Sequence, residues 1–115
     1  MNKVTRVADN GEVYVAVLLS TDYGAGWFTW NKDYPQMLFD PVMVNYLNPL
    51  YGIPYDKEKY DGIDAYLAAT YDNGWFGGLS GLCIEWVQQG FEFMIEEYDG
   101  SETLIVKDWI KFITA

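Results

Sequence analysis

Residues 12–19 constrain the fold more than any other segment, because nearly every position in them is apolar. In an extended strand, alternate side chains face opposite sides of the sheet. One side of this strand would carry three valines and a leucine, and the other a tyrosine, an alanine and a leucine. The pattern therefore predicts a strand covered on both faces, by helices or by a partner subunit. Asp9-Asn10-Gly11 just before it predicts a hairpin with a first strand at residues 3–8.

The middle of the chain predicts two short helices. Asp40 can cap the first, with Pro41 at its first helical position, and Pro49 ends it within about two turns. A second helix is predicted within residues 56–72, where apolar side chains recur at helical spacing, and Asn73-Gly74 is a suitable stop.

The last third returns to strands, predicted at residues 82–87, 91–98 and 103–107. Residues 27–30 could form a further short strand, and the apolar tail from Trp109 to Ala115 is expected to dock on the domain. These elements predict one α+β domain over residues 1–115. Its antiparallel sheet would be built from the N-terminal hairpin and completed by a C-terminal meander, with one or two short helices in the middle.

The charge balance restricts the partners of this chain. Seventeen acidic residues against seven basic ones give a formal charge of −10, almost all of it within residues 32–115. Such a chain is repelled by phosphate backbones and anionic membranes and attracted to basic surfaces. We therefore expect neither direct nucleic-acid binding nor membrane binding. The N-terminus lacks the apolar core of a signal peptide, so a cytoplasmic location is expected.

The residues available for catalysis are few. The chain has no histidine, which is the most common general base, and paired carboxylates cannot be singled out in so acidic a sequence. Its one cysteine, Cys83, lies in an apolar run and is predicted to be a buried, unreactive thiol. We therefore predict a protein that is not an enzyme, with no cofactor and no metal site.

Two loops combine glycines with aromatic residues, at residues 22–27 and 73–78. Neither carries a complete phosphate-binding motif, and Asp22 would repel a phosphate. If the loops met, their aromatic faces could stack on a base or a sugar, although a role in the core or at an interface is the simpler interpretation. The candidate binding residues here are Tyr23, Trp27, Trp30, Trp75 and Phe76.

An acidic run at residues 96–102 supplies the other candidates. Its spacing does not match a calcium-binding loop, and neighbouring carboxylates in a strand point to opposite faces. A solvated turn or an acidic contact surface are the remaining interpretations. The candidate contact residues are Glu96, Glu97, Asp99 and Glu102.

Four motifs together give the chain a resemblance to a known group of proteins. They are VADNGEV at residues 7–13, YGAGWFTWN at residues 23–31, LFDP at residues 38–41 and FMIEEYDGSE at residues 93–102. In these motifs the chain resembles a family of small uncharacterised phage and prophage proteins. The resemblance implies a small protein made in an infected or prophage-carrying cell, and it transfers no binding or catalytic residues.

Three functional hypotheses follow. The first is a non-catalytic phage accessory protein that binds and inhibits a basic or nucleic-acid-binding host protein, such as a defence enzyme, by acidic mimicry of DNA. The second is a nucleotide-binding sponge that uses the glycine-aromatic loops. The third is an acidic, soluble phage protein with a structural role. The doubly apolar strand and the many aromatic residues also predict a homodimer.

Overall fold

The computed structural model describes residues 2–109 and 112–115. Two helices and five strands lie in the described part of the chain, and the α+β prediction is confirmed. Three strands form one antiparallel sheet in the order β1-β2-β3, and β4 and β5 pair separately as a two-stranded ribbon. In chain order the elements are β1 (Thr5–Val7), β2 (Val13–Ser20), α1 (Pro41–Leu47), α2 (Ile63–Thr70), β3 (Leu82–Gln88), β4 (Phe93–Tyr98) and β5 (Ser101–Val106).

The predicted N-terminal hairpin is present. Val7 pairs with Val13, and the Ala8 N–H donates to the Glu12 carbonyl at 2.8 Å. The connecting turn needs a residue of positive φ, which Gly11 supplies at +86°. The turn residues named in the sequence therefore form the turn as expected.

Strand β2 lies between β1 and β3 and is covered on both faces by its own chain. Val17 and Leu19 pack with residues of β3 and β5, whereas Ala16 and Leu18 pack with residues of α1 and α2. Each large apolar side chain buried in this way contributes about 1.5–3 kcal/mol. The prediction of a doubly covered strand is confirmed, and the cover comes from helices on one face and the β4–β5 ribbon on the other.

Both predicted helices form where expected. The Asp40 carboxylate accepts from the Val42 N–H at 2.8 Å and the Met43 N–H at 3.1 Å, so it caps α1. Helix α2 starts after Gly62, whose φ of +106° is accessible to glycine. None of the described helices is long and apolar enough to span a membrane.

Two local predictions were wrong. Residues 27–30 form bends and turns instead of a strand, because the Asn31 N–H donates to the Phe28 carbonyl at 3.1 Å and closes a turn, and the buried Trp27 donates its Nε1–H to the Met37 carbonyl at 2.8 Å. The tail does not dock in its described residues: Phe112 and Ile113 are 93% and 95% exposed. After β5 the chain turns away through a short 3₁₀ helix at Lys107–Trp109 with no buried residue. Ile110, part of the same prediction, lies outside the described residues.

The C-terminal strands also differ in one detail from a continuous meander. Strand β4 begins at Phe93 and pairs with β5, and β3 pairs with β2. The β4–β5 ribbon therefore packs against the main sheet as a separate layer.

Candidate binding surface

The side chain of Asn31 joins the two glycine-aromatic loops, the first of which extends as far as residue 31 in the structure, because residues 21–31 form no helix or strand. Its Nδ2 donates to the Trp27 carbonyl at 2.6 Å and to the Trp75 carbonyl at 2.8 Å, and its Oδ1 accepts from the Trp75 N–H at 2.7 Å. Asn31 is buried, so these bonds satisfy its amide. The loops also meet at Gly78, where a Cβ would lie 2.7 Å from the Gly26 carbonyl oxygen. Loops distant in sequence thus form one surface.

The five aromatic candidates divide between core and surface. Trp27 is fully buried and Phe76 is half-buried, with 6.5 Å between their ring centroids. Trp27 therefore belongs to the core, and Phe76 packs against it as a partly buried residue. Trp30 and Trp75 are exposed, with ring centroids 5.9 Å apart and ring planes inclined at 50°. Together with Thr29, Lys32 and Asp33 they line a shallow cavity of 520 Å³, the tryptophan cleft.

Glu102 is 1% exposed, so the structure places it inside the molecule and away from any acidic contact surface. Its carboxylate accepts from the Ser20 N–H at 2.8 Å, the Thr29 N–H at 2.8 Å and the Thr29 hydroxyl at 2.6 Å. Hydrogen bonds to a charged group are stronger than those between neutral groups. Glu102 therefore holds β2 and the first loop against the ribbon.

Glu97 faces Glu102 across the ribbon and is exposed. It accepts from the Trp30 Nε1–H at 2.6 Å. The two carboxylates hold adjacent residues of the first loop, and this places Trp30 at the junction between loop and ribbon.

The first loop also lies over the turn that joins β4 to β5. The Gly24 N–H donates to the Asp99 carbonyl at 2.5 Å, and the Ser101 hydroxyl donates to the Thr21 carbonyl at 2.7 Å. The exposed Asp99 has a φ of +48°, so it is a turn residue whose carbonyl contacts the loop. These contacts bring Tyr23 next to the outer face of the ribbon.

A second cavity, the tyrosine cleft, lies beside the first. Its volume is 370 Å³, and Tyr23 and Tyr98 at its rim are 72% and 78% exposed. Glu97 belongs to this lining and is hydrogen-bonded to Trp30 of the tryptophan cleft, so the two cavities adjoin. The lining consists of Tyr23, Glu96, Glu97, Tyr98, Ser101 and Thr103, which include no cationic side chain.

Several cationic side chains contact other parts of the molecule. Arg6 lies over the Trp86 ring at 4.6 Å, and Lys3 lies over the Phe39 ring at 4.5 Å. Lys107 forms an ion pair with Glu92 at 2.9 Å. The single arginine is therefore engaged on an aromatic ring, away from both clefts.

A second buried carboxylate, Asp40, lies in the core. Besides its two cap bonds, it accepts from the hydroxyl of Tyr66 at 2.8 Å and from the hydroxyl of Tyr71. Burial, followed by the charge of Asp40 and its hydrogen bond, raises the pKa of Tyr66. Burial and the hydrogen bond to Asp40 raise the pKa of Tyr71. Since Asp40 is 2% exposed, this cluster has a structural role.

Cys83 is the one cysteine of the chain and its remaining candidate nucleophile. Cys83 is half-buried, and burial, followed by the charges of Glu85 and Glu102, raises the pKa of its thiol. A raised pKa lowers the thiolate fraction that reacts.

The described residues contain no group of three or more His, Cys, Asp and Glu side chains that could hold a metal ion.

Sequence reasoning named Tyr23, Trp30, Trp75, Glu96 and Glu97, all of which line or adjoin the two clefts. It missed Asn31, the link between the loops, because a single asparagine after an aromatic run has no distinctive pattern. It also missed Tyr98, although its place beside the acidic run was a usable signal. Neither models of protein families nor curated protein sequences nor solved structures match this chain.

Proposed function

We propose that this chain is a non-catalytic binding protein whose partner is a basic, nucleic-acid-binding host protein. In the phage context that the sequence motifs suggest, binding would inhibit that partner by presenting carboxylates where it expects phosphates. The observation that carries the proposal is the joined pair of clefts, in which exposed aromatic rings alternate with carboxylates around the Trp30–Glu97 hydrogen bond.

The distribution of charge supports a basic partner. All acidic side chains except Glu12, Asp40 and Glu102 are exposed. Within the described residues, Lys107–Glu92 is the only ion pair, so most of the surface carboxylates are not neutralised by a neighbouring cation. A surface of this kind attracts a basic protein over several ångströms and accelerates its association.

The exposed aromatic residues support a protein partner. Trp30 and Trp75 pack against each other and are held by hydrogen bonds to Glu97 and Asn31, so they lose little freedom on binding. Tryptophan and tyrosine side chains with these properties are enriched among the residues that dominate binding energy at interfaces.

The test is a panel of basic nucleic-acid-binding proteins, with affinities measured at low and high salt. We expect binding that weakens as salt rises and that DNA displaces, since both ligands would use the same basic surface. Trp75→Ala should weaken binding by at least about 2 kcal/mol. Leu50→Ala is the matched control, because Leu50 is 85% exposed and outside both cleft linings. Salt-insensitive binding, or equal effects of the two substitutions, would contradict the proposal.

A nucleotide sponge is the second candidate, favoured by the meeting of the two loops. Trp30 and Trp75 could stack on a base, and Lys32 in the same cleft could contact a phosphate. A thermal-shift screen with cyclic and ADP-ribose-type nucleotides tests it. A shift that disappears in Lys32→Ala would support the sponge, and no shift with any nucleotide would exclude it. If neither partner nor nucleotide binds, the structural role becomes the favoured alternative.

A further inference from the structure

The tyrosine cleft combines three properties that suit it to a cationic ligand. Two exposed tyrosine rings stand at its rim, two carboxylates line it, and its lining has no cation to neutralise them. By contrast, the neighbouring tryptophan cleft contains Lys32. The tyrosine cleft is therefore better suited than the tryptophan cleft to bind a positively charged group.

The chemistry of the lining selects among cations. A guanidinium group is planar, stacks on aromatic faces and presents five donors in a fork that matches carboxylates. Glu97 uses Oε1 for the Trp30 N–H at 2.6 Å and keeps Oε2 for a second donor. Glu96 precedes it in β4 and lies on the opposite face of the strand, which is the face of Tyr98 and Thr103 in the cleft lining. An ammonium group would use the charge but not the flat rings beside it.

We infer that the tyrosine cleft is a subsite for an arginine side chain of the protein partner, stacked on Tyr23 or Tyr98 and paired with Glu96, while Glu97 adds negative charge at the border of the cleft. This inference rests on the proposed function, because it names the group that a basic partner would insert. The hydrogen bond between Trp30 and Glu97 links this subsite to the tryptophan cleft.

The test uses a blocked hexa-arginine peptide and measures its affinity by calorimetry at low salt. Glu96→Gln combined with Glu97→Gln should weaken binding about fivefold, since the ion pair with Glu96 and the neighbouring charge of Glu97 are lost. The amide that replaces the Glu97 carboxylate retains an oxygen for the Trp30 N–H, so the loop should stay in place, which circular dichroism and urea unfolding verify. The matched control is Glu58→Gln combined with Glu85→Gln, which removes the same charge from exposed positions outside the cleft. It should change the affinity less than about twofold.

A second comparison tests the aromatic contribution. Tyr98→Ala should weaken hexa-arginine binding about threefold or more, as expected for a lost cation–π contact. Tyr46→Ala is its control, because Tyr46 is 46% exposed and does not line the cleft. Hexa-lysine should bind the wild-type chain more weakly than hexa-arginine does.

The outcomes separate the subsite from the proposed function. Equal losses in the cleft variant and the charge-matched control would show that total charge governs binding, which would overturn the subsite. Equal affinity for hexa-lysine and hexa-arginine would overturn the choice of guanidinium. If a basic host protein binds but hexa-arginine does not, the subsite fails while the proposed function stands. If hexa-arginine binds in the cleft and no basic protein binds, the proposed function fails while the subsite stands.

Discussion

Asp40 and Glu102 are buried carboxylates that accept hydrogen bonds from backbone N–H and side-chain hydroxyl groups. A buried charge is costly unless it is paired or fully hydrogen-bonded. Both therefore hold distant segments in fixed positions: Asp40 holds α2 and the start of α1, and Glu102 holds β2 and the first loop. Such residues should tolerate substitution poorly.

Glu102→Ala should reduce the free energy of unfolding by about 2–5 kcal/mol, because the Ser20 and Thr29 N–H groups lose their partner inside the protein. Glu96→Ala is the control, since Glu96 is exposed on the same ribbon and should change stability by less than about 0.5 kcal/mol. Urea unfolding measures both. Similar effects of the two substitutions would contradict the anchoring role of Glu102.

The stability of the protein should fall as the pH rises above about 10. There the phenols of the unfolded chain ionise, whereas Tyr66 and Tyr71, whose pKa values are raised in the folded protein, keep their protons. The unfolded chain then binds fewer protons, so unfolding is favoured. Their contribution to stability is fully present below a pH of about 10.

Urea unfolding at pH 8, 10 and 11 measures this effect. The double variant Tyr66→Phe, Tyr71→Phe has lower stability at pH 8 but should lose less of it between pH 8 and pH 11. A parallel decline in both proteins would show that other groups cause the alkaline loss.

Similar acidic residues differ in their burial, and the sequence could not predict this difference. Glu97 and Glu102 lie in one acidic run, yet Glu97 is exposed and Glu102 is buried. Their burial depends on which segment packs on the ribbon, and that segment is more than sixty residues away in the chain. By contrast, the cap at Asp40 was predictable, because a cap depends only on neighbouring residues.

At the scale of elements, the β4–β5 ribbon is joined to the rest of the protein by side chains and by its own turn. Gly100 in this turn is buried against Ala25 and has a φ of +87°. Its lack of a side chain allows the first loop to lie directly on the ribbon. The position of Tyr23 in the tyrosine cleft depends on this contact.

Gly100→Ala should destabilise the protein by about 1–3 kcal/mol more than Gly90→Ala does. Both glycines have positive φ, at +87° and +91°, so the backbone strain is matched. A Cβ at Gly100 would collide with the backbone of Ala25, whereas one at Gly90 meets nothing within 4 Å. Thermal or urea unfolding of the two variants measures the difference. Equal losses would mean that the loop does not press on the turn.

The pairing of β4 could not be predicted from its pattern. Alternation in residues 91–98 correctly identified the half-buried face of Phe93 and Ile95. A period of two specifies which side chains point inward but not which strand lies alongside. The chain forms the β4–β5 pair through the short turn at Asp99 and Gly100, and β3 pairs with β2 instead.

For the molecule as a whole, the packing around β2 removes one of the two reasons for expecting a homodimer. The chain itself covers both faces of β2, so that strand no longer requires a partner subunit. The exposed apolar residues still support self-association, and among the described residues Phe112 and Ile113 are the most exposed of them. Large apolar side chains in water favour association.

Sedimentation velocity at micromolar concentration should therefore show a homodimer. Phe112→Ser combined with Ile113→Ser should shift it towards monomer, whereas Leu50→Ser, at another highly exposed apolar position, should not. A wild-type protein that sediments only as a monomer would contradict the prediction.

The hydrogen bonds of Glu102 also set the order in which the protein can be completed during synthesis. Ser20 and Thr29 lie 82 and 73 residues before the carboxylate that accepts from them. Contacts of such long separation form late, because the intervening chain must be closed first. On the ribosome, the hairpin and both helices emerge before β5 exists. The surface that joins Trp30, Glu97 and Tyr23 is therefore assembled only after β5 has left the ribosome, and a chain that lacks β5 cannot form it.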